Sequence, residues 1–408
     1  MGIDLKTLGE RLERARKNCG YTQQQAADAV GLPRTAIVHI EAGNRSINTV
    51  ELAALAEFYK VPVAYFFEQN TPEQPSALVA LCRVSAEFAS DPAVNQEISR
   101  YVDICGEGMS LLEILGRKAV RSAPTYDLPE PSNYAEAIQQ GQQVADQERR
   151  RMGLGDAPIT DMRELIVMQG IWAAGAKLPD EISGLFLQHP SIGTVILVNH
   201  EHVRARKRFS YAHEYAHAIL DHKRIATVTS KSNATEFIEK RANAFAAAFL
   251  MPKGGIDALL RSLDKGGGSR TEFLVYDVAN ESAIEGTQRS LASQQTITFR
   301  DVMAVAHYFR ASYQAAAYRL GELGFVNRAA VTALLQQEDQ ANMLLKLIGV
   351  WADLQGTDDQ TKSEYELVGQ VVPLAIEAFR REEISKGRIR DLSKKLNCRE
   401  LLSLADAA

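Results

Sequence analysis

The sequence predicts an α+β protein that is mainly helical. Apolar residues at helical spacing dominate both ends of the 408-residue chain, whereas short apolar runs typical of strands occur in its middle. With 46% hydrophobic and 24% charged residues, the chain can bury more than one core. We divide it into an all-α N-terminal domain at 1–70, a helical linker region at 71–134, a mixed domain with a small sheet at 135–330 and a helical C-terminal region at 331–408.

The overall composition favours a cytoplasmic protein. Its four cysteines are scattered and form no C-x-x-C pair, so a disulfide framework is not expected. The charged N-terminal segment does not resemble a signal peptide, and no run of 18 apolar residues predicts a membrane span. A formal net charge of −5 argues against binding nucleic acid through bulk charge, so any DNA contact must come from a local surface.

Four short helices are predicted in residues 1–70. Thr22 and Gln25 have the spacing of a capping box, which starts the second helix. Pro33 suits the first turn of the third helix, because its missing N–H costs nothing there. The fourth helix is expected from about 50 to 59.

Two stretches of this domain, YTQQQAADAVGLPRTAIVHIEAGNRSI and VELAALAEFYKVP, resemble the Xre/Cro-type helix-turn-helix family. The resemblance spans 7–66 and implies that the helix at 33–42 enters the major groove of double-stranded DNA, while the helix at 22–30 crosses the backbone. The polar candidates for base or phosphate contacts are Gln23, Gln24, Arg34, Thr35, His39 and Arg45.

The charge of residues 1–70 leaves an alternative open. Eight Lys/Arg balance eight Asp/Glu, so a monomer would bind DNA modestly and a homodimer would matter. The other interpretation is a helical protein-interaction domain of the same fold that has lost DNA binding.

The middle of the chain alternates helices and strands. After the Pro-containing boundary SAPTYDLPEPSNY, helices are predicted near 135–152 and 160–169. Strands then follow at 171–174, 184–187 and 194–198, and helices at 207–222 and 234–250. The basic run at 204–208 could bind an anionic effector, although such a run is more often a solvated face.

The motif His213-Glu214-Tyr215-Ala216-His217 carries the chemistry of a metal site. Helical spacing of four places both imidazoles on one face, where they can bind one zinc ion. Glu214 would project beside the metal, lie close to a zinc-activated water and act as general base and acid. Catalytic zinc usually needs a third protein ligand, and either Glu236 or Glu239 on the next helix could supply it.

Two segments resemble the ImmA/IrrE family of metallopeptidases. The first is RFSYAHEYAHAILDH at 208–222, and the second is EKRANAFAAAFLMP at 239–252, which fits the family signature E-x-x-A-N-x-F-A-x-x-x-L-M-P. The resemblance covers about 160–330 and implies a zincin-like zinc metallopeptidase domain in which Glu239 is the third zinc ligand. Tyr215-Ala216 departs from the small or glycine-containing pair that is common there.

Two functions follow from these resemblances. The first is a zinc endopeptidase fused to a DNA-binding domain, which cleaves a transcriptional repressor in a stress or mobile-element response. The alternative is an Xre-family transcriptional regulator whose zinc domain is a sensor or scaffold with little turnover. The intact Glu214 favours the first, because a pure scaffold has no need of a general base.

Overall fold

A computed structural model describes residues 4–18, 21–59, 63–67, 92–117, 123–189, 192–230, 233, 235–265, 271–277, 282–288, 295–357 and 360–406. Within these ranges, no helix has the length and apolar character that a membrane crossing requires.

Residues 5–66 form a small helical unit with its own core. Its elements are α1 (Leu5–Asn18), α2 (Gln23–Val30), α3 (Arg34–Glu41), α4 (Thr49–Phe58) and a 3₁₀ turn (Val63–Phe66). The capping box at the start of α2 is present, since the Thr22 side chain accepts from the Gln25 backbone N–H and the Gln25 side chain accepts from the Thr22 N–H. Leu12, Ile37 and Leu55 fill the core at 1% exposure. The predicted helix-turn-helix arrangement is confirmed.

The central part of the chain contains the sheet. In chain order its elements are α5 (Pro92–Ile114), α6 (Tyr134–Arg151), α7 (Met162–Val167), β1 (Trp172–Ala176), β2 (Ile182–His189), β3 (Gly193–Asn199), α8 (Arg204–Leu220), β4 (Ala226–Ser230) and α9 (Phe237–Leu250). The strands lie in the order β1-β3-β2-β4, with β1 and β3 parallel and the other pairs antiparallel. The helices and strands predicted between 135 and 250 all occur within a few residues of their expected bounds, and β4 is an addition.

The remaining elements follow the sheet in sequence. They are α10 (Lys253–Ser262), a hairpin of β5 (Thr271–Asp277) and β6 (Ser282–Gln288), α11 (Phe299–Phe309), α12 (Tyr313–Glu322), α13 (Arg328–Leu335), α14 (Glu338–Leu347), α15 (Trp351–Gln355), α16 (Gln360–Arg380), α17 (Lys386–Lys395) and α18 (Glu400–Asp406). The sequence also predicts a glycine-rich loop at 264–269, of which residues 266–269 lie outside the described ranges. Helices at both ends around a small sheet confirm the predicted fold class.

The two faces of the sheet pack into different cores because side chains alternate along each strand. On β3, Ile196 and Val198 face a core shared with α8 and α9, whereas Val195 and Leu197 face the opposite side. That opposite core contains residues of α5 and of α16, α17 and α18. The metal-site helices therefore cover one face of the sheet, and helices from both flanking regions cover the other.

Side chains from α5 and α16 also protect the outer edge of β1. The Tyr101 hydroxyl donates to the Gly175 carbonyl at 2.6 Å, and the Gly175 N–H donates to Glu366 Oε2 at 2.7 Å. The Gln370 amide donates to the Ala173 carbonyl at 2.8 Å. These bonds satisfy backbone groups that an edge strand would otherwise leave open. The predicted division of the chain into four parts stays a prediction. Helices α5 and α16, from two of those parts, share one core with the sheet.

Candidate metal centre

Helix α8 places His213 and His217 one turn apart and turns both imidazoles inward. Their exposures are 3% and 0%, and their Nε2 atoms lie 3.1 Å apart. The helix is held in place from the other side by Tyr215, whose hydroxyl donates to Glu148 Oε2 at 2.7 Å. Both histidines therefore point their Nε2 atoms at one spot.

Helix α9 brings the carboxylate of Glu239 to the same spot. Glu239 Oε2 lies 3.0 Å from His213 Nε2, and Glu239 Oε1 lies 3.3 Å from His217 Nε2. Glu236, the other candidate from the sequence, is exposed at the N-terminal cap of α9. The geometry thus assembles His213, His217 and Glu239 as one buried group of possible metal ligands.

The outer nitrogens of both histidines have polar partners that fix the rings. His213 Nδ1 lies 3.0 Å from Asn243 Oδ1, and His217 Nδ1 lies 2.8 Å from Asp221 Oδ2. Asp221 Oδ1 in turn accepts from Arg241 Nη2 at 2.6 Å. With Nδ1 facing an acceptor, each ring can carry its proton there and leave the Nε2 lone pair for a metal.

The charges around this group favour a cation at its centre. Burial opposes ionisation of Glu239, but hydrogen bonds to both histidines outweigh it and hold the pKa of this carboxyl well below its usual range. Burial also disfavours charge on His217, yet its bonds to Asp221 and Glu239 raise the pKa of its imidazole to about 10. Both shifts reflect the mutual attraction between a carboxylate and a positively charged imidazole within this group.

The donor set fits a zinc ion. Two imidazole nitrogens and one carboxylate oxygen are common zinc ligands, and tetrahedral zinc with bonds of about 2.0–2.1 Å separates its ligand atoms by roughly 3.4 Å. The three separations here are 3.0, 3.1 and 3.3 Å. These separations are close to those of three ligand atoms around one zinc ion, so the donor set and its spacing both fit this metal.

Glu214 lies beside these ligands. It is fully buried, and within the described residues neither carboxylate oxygen makes a hydrogen bond of normal geometry, although the Thr229 hydroxyl lies close enough to favour the ionised form and lower its pKa. Burial raises the pKa of this carboxyl above its ordinary value. Space for it comes from Gly184 on β2, where a Cβ atom would lie 2.8 Å from Glu214 Oε1. A buried carboxylate without a well-formed protein hydrogen bond is available to a water or a substrate group.

The residues predicted to contact DNA separate into two groups. Arg34, Thr35 and His39 are exposed on α3. The other three have partners within the domain, since Gln23 donates to Glu41, Gln24 to Asp28 and Arg45 to Glu51.

Several supporting residues had no signal in the sequence analysis. Asp221 contacts His217 from the C-terminal cap of the same helix, four positions on, whereas Asn243 and Arg241 reach the site only because α9 packs against α8. Asp221 and Asn243 lie inside the two family-like segments, so the signatures contain them without indicating their roles. Glu148 lies 67 positions from Tyr215 and belongs to a helix, α6, that carries no motif.

Two family models match separate parts of this chain. Residues 169–268 match the family model of the IrrE N-terminal-like domain, Peptidase M78, and residues 12–66 match a helix-turn-helix family model. No curated protein matches the chain. A solved structure, Bacillus thuringiensis PlcR in complex with the peptide PapR7 and DNA, is 13% identical over 98% of this chain and 97% of that chain, with a TM-score of 0.16. The suspected combination of an Xre-type helix-turn-helix with an ImmA/IrrE-like peptidase-type domain is confirmed.

Proposed function

We propose that this chain is a zinc-dependent endopeptidase joined to a DNA-binding domain, and that it cleaves a transcriptional repressor in a stress or mobile-element response. One observation carries the enzymatic part: three buried ligand atoms converge beside the buried carboxylate of Glu214. The match of 169–268 to a peptidase-type family model supports the same interpretation.

The roles of the side chains follow from their positions. His213, His217 and Glu239 would hold the zinc ion, which when bound supplies a Lewis acid for peptide hydrolysis. Glu214 would take a proton from the attacking water on one of its oxygens and deliver it to the leaving amine. Its raised pKa suits the first half of this transfer, because a stronger base accepts the proton from water more readily.

Strand β4 is a suitable surface for a substrate peptide. It is the last strand of the sheet in the described part of the chain, and its Thr229 pairs with Gly184, the residue against which Glu214 lies. An extended peptide that adds to this edge would pass the carboxylate of Glu214. Since the four metal-site residues are at most 3% exposed, entry of a substrate requires a local opening.

A cleavage assay tests the proposal. The purified chain with zinc and the repressor encoded by an adjacent gene should give a discrete cut. Glu214→Gln should lower the rate by roughly 10²–10⁴-fold, the usual contribution of a general base, while zinc content stays unchanged. Glu236→Gln makes the same chemical change at the exposed cap of α9 and should cut normally. Cutting by Glu214→Gln at the rate of the unaltered chain would remove Glu214 from this role.

A regulator with little turnover is the second candidate, and the burial of the whole metal centre is the observation that favours it. In that case the zinc domain is a sensor or scaffold. The chain, as a dimer, binds an operator through the exposed face of α3. The intact chain would then bind DNA but leave every candidate repressor uncut under all conditions that load zinc.

A further inference from the structure

A cavity separate from the metal centre opens beside the N-terminal half of α8. Its volume is about 770 Å³, which lies within the usual range for small-molecule sites. It lies between α7, α8 and α16, with the C-terminal end of α11 at its rim. Arg208 of the basic run and Arg310 after α11 both line it.

The two guanidinium groups contact only neutral groups in the described part of the chain. Arg208 donates from Nη2 to the Ile159 carbonyl at 2.7 Å and from Nη1 to the Thr160 carbonyl at 3.0 Å. Arg310 donates to the same Thr160 carbonyl at 3.3 Å. The Nε atom of Arg208 is buried and has no partner. Two positive charges therefore share one carbonyl without a carboxylate between them.

In the described part of the chain, none of the carboxylates that line the cavity forms an ion pair with Arg208 or Arg310. Glu366 accepts from the Gly175 N–H and from the Tyr211 hydroxyl at 3.3 Å, on the β1 side of the cavity. Asp161 accepts from the Glu164 N–H as the cap of α7. Burial and the like charge of Arg310 lower the pKa of Arg208 to about 10, against the weaker attraction of Asp161.

The backbone at Arg310 gives an independent indication. Its φ of 55° lies in the left-handed region, at the C-terminal cap of α11. Glycine is favoured at such a cap, because an L side chain is strained there. Asp264, Glu382 and Asn397 also have positive φ, but of these residues only Arg310 lines the cavity, where its side chain lies beside a second arginine.

We propose that Arg208 and Arg310 bind an oxyanion in this cavity, the phosphate or carboxylate group of a small molecule. The donors of the two guanidinium groups match the paired oxygens of such anions, and charge-assisted hydrogen bonds are the strongest of their kind. The buried Nε of Arg208 gains the partner that it lacks. Because the site uses no metal ligand, it stands independently of the peptidase proposal.

Calorimetric titration of the full chain with inorganic phosphate, pyrophosphate and citrate tests this site at low ionic strength. We expect one ion to bind per chain. Tighter binding of phosphate or pyrophosphate would identify a phosphate site, and tighter binding of citrate would identify a carboxylate site. Arg310→Gly removes one guanidinium and relieves the strained φ, so it should fold and should weaken binding by roughly tenfold or more.

Arg328→Ala is the matched control, because this arginine is exposed at the start of α13 and does not line the cavity. It should leave the affinity unchanged. A second variant, Arg208→Lys, keeps the charge but loses Nε, and should also weaken binding, with folding checked by the melting temperature. The proposal is overturned if none of the three ions binds, or if the Arg310 and Arg208 variants bind as tightly as the control.

Discussion

At the residue scale, the metal site depends on which of two glutamates, Glu236 before α9 or Glu239 within it, is the third ligand. Glu239 is buried against both histidines, whereas Glu236 is exposed one turn earlier. Residue chemistry left both open, and the family-like signature favoured Glu239. The geometry agrees with the signature because α9 starts at Phe237, which puts the earlier glutamate outside the helix.

Replacing Glu239 should therefore remove the metal. Glu239→Ala takes away one of three protein ligands, and we expect zinc per chain to fall from about one to near zero after dialysis, measured by elemental analysis. Glu236→Ala should keep its zinc and serves as the control. Full zinc content in the Glu239 variant would contradict the ligand set.

A second residue-scale prediction concerns the support of α8. The carboxylate of Glu148 is fully buried and accepts from the hydroxyls of Tyr126 and Tyr215 and from Arg151. Tyr215→Phe removes one hydrogen bond to a buried charge, so the free energy of unfolding should fall by about 1.5–3 kcal/mol. Urea denaturation measures this change. Tyr134→Phe, at a tyrosine that is 58% exposed, should have no measurable effect.

At the scale of secondary-structure elements, hydrophobic periodicity predicted the helices and strands that have a clear apolar pattern. Helices α8 and α9 and strands β2 and β3 occur close to where the sequence places them. Strand β4 was missed because its sequence, Ala-Thr-Val-Thr-Ser, is short and mostly polar, and it exists through pairing with β2. A strand defined by its neighbour has little signal of its own.

The recognition helix α3 allows a prediction at this scale. Arg34 is exposed at its first residue, whereas Gln23 on α2 bonds to Glu41 in the domain. Arg34→Ala should lower operator affinity by about 1–3 kcal/mol without changing the melting temperature. Gln23→Ala should instead lower the melting temperature. Fluorescence anisotropy with operator DNA distinguishes the two, and unchanged binding by the Arg34 variant would count against this surface.

At the scale of the whole molecule, α5 and the C-terminal helices α16, α17 and α18 meet on one face of the sheet. Residues near 92–114 carry no motif, and 331–408 reads as ordinary amphipathic helix, so the sequence predicts a linker and a separate region there. Their packing on β1 and β3 depends on contacts hundreds of residues apart, such as Gln370 with Ala173. Local patterns contain no information on which distant helix covers a given face.

This arrangement predicts that the C-terminal helices are required for folding of the metal domain. A chain ending at Thr357 loses Leu367, Val371, Leu392 and Leu401, each at most 1% exposed. Burial of each such side chain contributes about 1.5–3 kcal/mol, and the total approaches the 5–15 kcal/mol that stabilises a typical domain. The shortened chain should show no cooperative thermal transition and should not retain zinc.

Removal of residues 1–91 is the matching deletion at the other end. The N-terminal unit has its own core, formed by residues such as Leu12 and Ile37, and none of its described residues belongs to the two cores of the sheet. The remaining chain should therefore unfold cooperatively and bind zinc as the full chain does. If the chain ending at Thr357 also unfolds cooperatively and keeps its zinc, α16, α17 and α18 form an appendage, and the open face of β1 and β3 must be stable without them.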